Sequence, residues 1–369
     1  MDERERHMRR ALELAERGWG RSSPNPMVGA VLVDREGRFV SEGWHVGPGS
    51  RHAEAEALAR AGDAAAGATV YTTLEPCNRF GRTPPCSRAL IEAGVARVVV
   101  ASIDPNLGPG EPGLAELRAA GIVVETGVAG DEEAWLNRAF RRQVTSGRPW
   151  VLLKMAGSLD GKAAARDGTS RWITGPAARD DVQRLRAWSD AVAVGAGTAL
   201  VDDPRLTVRA PAFERANPPL RIVIDAAGRV PATGAVFSHD APTLMATTDL
   251  APRAVRRAWG DTGAEVLVLD PDPRGGVALG DLVDELGKRE VQGLLIEGGP
   301  TLAWAAIRDD LVDELVVYLA PVLVGGASAP TLLDGEGLAP IDAARELEVR
   351  SVERLGTDLR VEALVHGDR

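Results

Sequence analysis

Cysteine and lysine are both scarce in this chain. In 369 residues, cysteine occurs only at Cys77 and Cys86, and lysine only at Lys154, Lys162 and Lys288. Two cysteines cannot build a four-thiolate zinc module. Nine positions apart in a chain without a secretory signature, they read as a metal or redox pair rather than a structural disulfide. Arginine supplies the remaining cationic side chains, a coding background that fits the Ala and Arg abundance and draws attention to the few lysines retained. Long apolar runs are also missing. None reaches the roughly 20 residues of a membrane span, and the opening segment MDERERHMRR has no apolar stretch of the secretory type. A cytoplasmic location with no membrane partner is therefore expected. An excess of basic charge is absent too: the net charge is -10 and the pI near 5.2. This argues against nucleic acid held by phosphate neutralisation and in favour of a small-molecule substrate.

What is present is enough apolar material for more than one core. With 44% hydrophobic and 26% charged residues, a chain of this length exceeds what a single core supports, so two domains are expected. The first half alternates strand and helix patterns: 27–34, 68–76 and 96–104 as strands, 52–62, 85–94 and 113–121 as helices, then a strand at 122–128 and one helical stretch over 131–147. Such alternation predicts a largely parallel sheet covered by helices. The small, turn-forming segment 146–149 marks the boundary, giving domains 1–146 and 147–369. The second series has apolar strand patterns at 150–157, 191–197, 220–226, 243–248, 265–270, 293–299 and 314–326, with helices between them. A terminal antiparallel pair closes the chain, and long loops are expected at 203–220 and 225–243.

One constellation carries chemistry. His52-Ala53-Glu54, Pro76-Cys77 and Cys86 bring an imidazole, two potential thiolates and a carboxylate from a compact stretch. Three protein ligands, His52, Cys77 and Cys86, with a free fourth position describe a catalytic zinc site, whereas structural zinc sites normally take four. His52 and Cys86 each stand where a helix opens, and the positive end of the helix dipole favours a thiolate. Glu54 falls in the first turn, where it reaches the metal's water without ligating the metal. Zinc lowers the pKa of a bound water towards about 7, and a neighbouring carboxylate can pass its proton to a leaving amine. Singly, each residue reads better as a helix cap, a solvated acid or a core cysteine. The combination does not.

Zinc deaminases carry H-x-E followed by P-C-x-x-C, yet here the second cysteine lies nine positions after the first instead of three. The segment Cys77-Asn78-Arg79-Phe80-Gly81-Arg82-Thr83-Pro84-Pro85-Cys86, with Pro24-Asn25-Pro26-Met27-Val28-Gly29, Gly43-Trp44-His45, Leu74-Glu75-Pro76 and Asp104-Pro105-Asn106, resembles the bifunctional riboflavin-biosynthesis deaminase/reductase family. The resemblance covers nearly the whole chain. It implies a cytidine-deaminase-like three-layer α/β/α domain followed by a dihydrofolate-reductase-like α/β domain, with Zn2+ and NADPH as cofactors and a phosphorylated pyrimidine as substrate. A homo-oligomer is expected. Asn25, His45, Arg82, Asp104 and Asn106 would hold the deaminase substrate. The family's usual Ser-His after the first cysteine is Asn78-Arg79 here.

In the second domain the generic signals are weaker. Lys154 to Lys162 ends a strand in a Gly-containing loop, and Glu297-Gly298-Gly299-Pro300-Thr301 ends a strand and opens a helix, an arrangement that suits phosphate. The resemblance implies that Ala156, Trp172, Thr198, Asp202, Gly299, Pro300 and Thr301 contact the cofactor. It implies that Ser170, Arg186, Leu206, Arg209 and Glu297 contact the substrate, Arg186 and Arg209 through its phosphate. Lys154 and Asp202 are the candidates for polarising or protonating the sugar. Trp172 reads almost as well as a core aromatic. The family often has serine where Ala226 stands. Two rival readings are a nucleoside or tRNA deaminase fused to an unrelated domain, disfavoured by the cysteine spacing and acidic charge, and a zinc-stabilised binding module, disfavoured by Glu54.

Overall fold

The computed structural model describes residues 2–80, 84–210, 213, 215 and 217–365. The chain forms two compact units, Met1–Gly147 and Arg148–Arg369.

The first unit is a five-stranded sheet in the order β2-β1-β3-β4-β5, formed by β1 (Gly29–Val33), β2 (Phe39–Trp44), β3 (Thr69–Leu74), β4 (Arg97–Ser102) and β5 (Val123–Thr126). Strands β3, β4 and β5 are parallel, while β1 runs antiparallel to both β2 and β3. The sheet is therefore less parallel than the β-α alternation predicts. The difference is β2, a six-residue, mostly part-buried strand whose sequence lacks a distinctive apolar pattern. Strand β1 is buried along its whole length, and its residues sort by period two. Ala30 and Leu32 face a core with Ala57 of helix α2 (Ala53–Ala61), Leu90 of α3 (Cys86–Glu92) and Leu114 of α4 (Pro112–Ala119). Val31 and Val33 face the opposite core with Met8 and Leu14 of α1 (Glu3–Ala15). Helices on both faces make three layers. The expected single helix over 131–147 is two, α5 (Gly130–Leu136) and α6 (Arg138–Ser146), separated at Asn137 with φ -98° and ψ 19°.

The second unit holds a nine-stranded sheet, β10-β9-β8-β7-β11-β6-β12-β14-β13. Its strands are β6 (Trp150–Ser158), β7 (Ala191–Gly195), β8 (Leu220–Ile224), β9 (Thr243–Thr247), β10 (Glu265–Val268), β11 (Gly293–Ile296), β12 (Glu314–Ala320), β13 (Glu348–Leu355) and β14 (Asp358–Leu364). The run from β10 to β12 is parallel, and β14 and β13 append an antiparallel edge. One face packs on α10 (Leu279–Lys288) and α11 (Pro300–Arg308) through Val151, Leu153, Leu282, Leu286 and Ala303. Alternation sends Lys154 to the other face. The remaining helices are α7 (Pro176–Trp188), α8 (Ala196–Asp202) and α9 (Arg253–Asp261). Strand β12 ends at Ala320, short of the expected 326, because Pro321 follows and Gly325 and Gly326 adopt positive φ.

Candidate active sites

In the first unit, His52 is the N-cap of α2 and Cys86 is the first residue of α3. Cys77 follows the end of β3, and the Ser87 amide donates to the Cys77 carbonyl at 3.1 Å. These elements bring His52 Nδ1 within 3.5 Å of Cys77 Sγ and 3.3 Å of Cys86 Sγ, and all three ligand atoms lie within 4.8 Å of one another. Tetrahedral coordination with Zn–S of about 2.3 Å and Zn–N of about 2.0–2.1 Å places nitrogen and sulfur roughly 3.5 Å apart. The donor set therefore fits zinc, with one position left for a non-protein ligand. Among the described residues, this is the group of His, Cys, Asp and Glu side chains that could hold a metal.

Glu54 is the second residue of α2, in its first turn, and is buried. Burial raises its pKa, and the neighbouring His52 acts in the opposite direction. Cys77 is held at about 4, chiefly by the Cys86 hydrogen bond and further by His52. Cys77 is thus the readier thiolate.

Asn25 Nδ2 lies 3.0 Å from His45 Nε2, and the His45 and His52 rings meet edge-on at 5.4 Å. Asn25, His45 and the metal donors therefore share one cluster. The carboxylate of Asp104 accepts from the Asn106 amide at 2.8 Å, and burial pushes Asp104 up to about 6. Arg79 donates to the Leu107 carbonyl at 2.6 Å, tying the Cys77 loop to the Asp104–Asn106 segment. Asn78, the other departure from the family motif, keeps a buried Oδ1 that has no hydrogen-bond partner among the described residues. Arg82 lies outside the described residues.

Glu75 was visible only as part of a motif, but its carboxylate accepts from the Gly113 amide at 2.9 Å and from Asp104 N at 3.4 Å. It thereby anchors α4 and the Asp104 loop beside Cys77. A Cβ at Gly113 would stand 1.9 Å from the Pro76 carbonyl oxygen, so α4 reaches the metal loop only with glycine there.

In the second unit, a cavity of about 770 Å³ is lined by Lys154, Ser170, Arg186, Leu206, Arg209 and Glu297, and by Trp172, Thr198 and Asp202. Nine expected positions thus surround one space beside the C-terminal ends of β7 and β11, where open α/β sheets bind ligands. Ala156, Gly299, Pro300 and Thr301 do not line it. Ala156 pairs with Tyr318 across β6 and β12, and Gly299 caps α11 with its Cα side close to Thr198 Oγ1.

Arg186 forks onto Glu297, Nε to Oε1 at 2.5 Å and Nη2 to Oε2 at 2.8 Å, and donates Nη1 to the Thr207 carbonyl at 3.2 Å. Its charge is thus matched inside the protein, and the more open cation at this end is Arg209. Partial burial and the charges of Arg186 and Arg205 lower the pKa of Arg209, the signature of a cationic pocket that gains from an anion. Trp172 is 71% exposed, which rules out the core-aromatic reading, and Arg179 stacks 4.6 Å from its ring. Burial lowers the Lys154 pKa, while Glu297 supports its charge.

Tyr318 was missed in the sequence because it sits inside an apolar strand. Its hydroxyl donates to Asp181 at 2.6 Å, and its ring lies 5.9 Å from Lys154 Nζ. A fully buried phenol needs such a partner, which was the available signal.

The cytidine and deoxycytidylate deaminase zinc-binding region matches residues 1–102, and the RibD C-terminal domain matches residues 149–361. The riboflavin biosynthesis protein RibD of Escherichia coli K12 is 41% identical over 96% of this chain and 97% of its own length, and that of Aquifex aeolicus is 40% identical over 96% of each. Among solved structures, Acinetobacter baumannii RibD superposes with TM-score 0.88 at 38% identity, covering 98% of both chains. A Thermotoga maritima protein, described as a diaminohydroxyphosphoribosylaminopyrimidine deaminase/5-amino-6-(5-phosphoribosylamino)uracil reductase, superposes with TM-score 0.86 at 32% identity over 98% of both chains. With both domain types matched in order and the relatives aligned end to end, this chain belongs to the RibD family of bifunctional riboflavin-biosynthesis deaminase/reductases.

Proposed function

We propose that the first unit hydrolytically deaminates 2,5-diamino-6-(5-phosphoribosylamino)pyrimidin-4(3H)-one, and that the second reduces the product, 5-amino-6-(5-phosphoribosylamino)uracil, to its ribityl form with NADPH. The observation that carries the reading is the convergence of His52, Cys77 and Cys86 with the buried carboxylate of Glu54 beside them.

His52, Cys77 and Cys86 would hold zinc, which would supply Lewis acidity and lower the pKa of a water there. Glu54, buried and outside the ligand set, takes a proton and returns it to the departing amine. Asn25 reads the ring edge through its amide, and His45, fixed between Asn25 and the Arg51 carbonyl, closes the same wall. Asp104 and Asn106 hold the sugar side, and Arg82 grips the phosphate.

In the second unit NADPH supplies the hydride. Arg209 binds the substrate phosphate, while Arg186 and Glu297 shape the floor as a neutral pair. Trp172, Thr198, Asp202, Ala156 and the start of α11 at Gly299, Pro300 and Thr301 hold the cofactor. Ser170 and Leu206 bound the sugar. Lys154, its proton loosened by burial, polarises the opened sugar. Positioning contributes more than acid-base chemistry at such a site.

No helix among the described residues is long and apolar enough to cross a membrane. The enzyme works in the cytoplasm as a homo-oligomer. Support for self-association comes from the exposed side chains of Leu323, Ile341, Val349 and Val352 along the last β12–β13 connection and edge strand β13, a concentration of apolar surface unusual for a lone subunit. Sedimentation velocity tests it; a monomer at micromolar concentration would refute it.

The test of the two activities is direct. Zinc-loaded protein should release ammonia from the diaminopyrimidinone phosphoriboside, and Glu54→Gln should retain zinc yet lose turnover. Unchanged turnover in Glu54→Gln would refute the mechanism. Supplied with deaminated substrate, the protein should oxidise NADPH; inactivity with both NADPH and NADH would refute the reductase assignment.

A further inference from the structure

Three polar side chains spaced four residues apart, Glu133, Asn137 and Arg141, run through the junction of α5 and α6 and point into the first unit. Helical hydrogen bonds hold the spacing, Asn137 N to Glu133 O and Arg141 N to Asn137 O, both at 2.9 Å. Glu133 is 0% exposed and Asn137 is 2% exposed. Asn137 brackets one residue of a distant loop: its Oδ1 accepts from the Met27 amide at 2.8 Å and its Nδ2 donates to the Met27 carbonyl at 2.9 Å. This pairing mimics a backbone ladder and fixes both peptide groups of Met27, two residues after Asn25. The same Nδ2 donates to Glu133 Oε1 at 2.8 Å. The second carboxylate oxygen of Glu133 accepts from Arg141 Nη2, which also donates to Ser102 Oγ and, at 3.1 Å, to the Ile103 carbonyl, one residue before Asp104.

We infer that Glu133, Asn137 and Arg141 are positioning residues that clamp loops 24–27 and 103–106 to one another, and so hold Asn25 in register with Asp104 and Asn106. The inference rests on the deaminase reading of the first unit. Well-packed apolar side chains would fill this space at least as stably as a buried ion pair. What they could not do is fix the orientation of two irregular backbone segments, whose buried N–H and C=O groups need partners. Each loop is irregular and has no ladder of its own at these points. The clamp supplies one, and a single carboxylate joins its two arms.

Asn137→Ala, Glu133→Gln and Arg141→Gln, each in the full zinc-loaded chain, test the clamp. Asn137→Ala should keep one zinc per chain and an unchanged reductase KM and kcat on deaminated substrate. Its deaminase kcat/KM should fall at least tenfold, mostly through KM. Hydrogen exchange should speed up in peptides covering 22–28 for Asn137→Ala and 102–107 for Arg141→Gln, and in both for Glu133→Gln, with residues 86–92 still protected. Zinc-loaded Asn137→Ala with wild-type KM and wild-type exchange at 22–28 overturns the inference. So does a loss of activity that merely tracks loss of zinc. If Asn137→Ala does not fold, the near-isosteric Glu133→Gln decides on the same two readouts. Wild-type protein that fails to deaminate would refute the function instead, and the exchange data would still decide the clamp.

Discussion

Arg186 and Glu297, on α7 and just beyond β11, meet as a bidentate pair at 2.5 and 2.8 Å, with side chains only 10% and 9% exposed. Removing one partner leaves a buried charge unmatched, a change that typically destabilises by about 3–5 kcal/mol. Glu297→Gln should therefore lower the melting temperature of the second unit, and Arg186→Met combined with Glu297→Leu should recover most of the loss. Calorimetry on the single and double variants measures it; additive losses would show that the two side chains are not energetically coupled.

The same pair sets an acid dependence. Burial alone would raise the Glu297 pKa, but Arg186 outweighs it and the carboxyl ends below its ordinary value. A lowered carboxylate pKa contributes stability that is fully present above the unfolded value, about 4.3, and is lost as pH falls through the folded value. Urea midpoints of the second unit should drop as pH falls below about 4.3, and the drop should be shallower in Glu297→Gln.

Asp104 has the opposite sign. Burial, with Glu75 adding to it, raises its pKa to about 6. The folded chain then holds this proton more tightly than the unfolded one between roughly pH 4 and 6, so stability falls as pH rises through that window. The whole effect is at most about 3 kcal/mol, from two pKa units at 1.36 kcal/mol each. Asp104→Asn should remove this part of the pH dependence in melts of the first unit from pH 4 to 7, with zinc content checked in parallel.

Trp172 is exposed beside the second-unit cavity, so its removal should affect binding and not folding. Trp172→Ala should shift the melting temperature by no more than a surface change does, within about 0.5 kcal/mol, while raising the NADPH KM about tenfold, as loss of a stacking contact worth roughly 1–1.5 kcal/mol would. Steady-state kinetics with deaminated substrate reads the outcome.

Metal removal should separate the two units. A zinc chelator should abolish ammonia release, because the His52, Cys77 and Cys86 donors belong to the first unit alone. NADPH oxidation on deaminated substrate should persist at near its original rate. Equal loss of both would mean that the second unit depends on the metal.

Much of the site was legible in sequence because its parts sit at element starts. His52 and Cys86 open helices, and the apolar patterns on either side made those starts readable. The resemblance to one family rested on the nine-residue step between the cysteines together with the motifs that continue through the second domain. Strand β2 was not legible, since its mostly part-buried residues show too little apolar alternation. The break at Asn137 was also hidden: no Gly or Pro marks it, and the Asn137 side chain is committed to Met27, 110 positions away.

From its residues alone, this chain specifies a His52, Cys77 and Cys86 donor cluster, a carboxylate beside it, two α/β units and their order, because those depend on spacing and periodicity along the chain. Tertiary structure alone decided that Glu297 neutralises Arg186, that Tyr318 backs Lys154, that Trp172 is exposed, and that Glu75 and Asn137 hold the loops around the metal donors. Each of these joins side chains from separate elements. Sheet order and burial choose such partners by requiring that every enclosed charge and peptide group be satisfied, and no local pattern records that requirement.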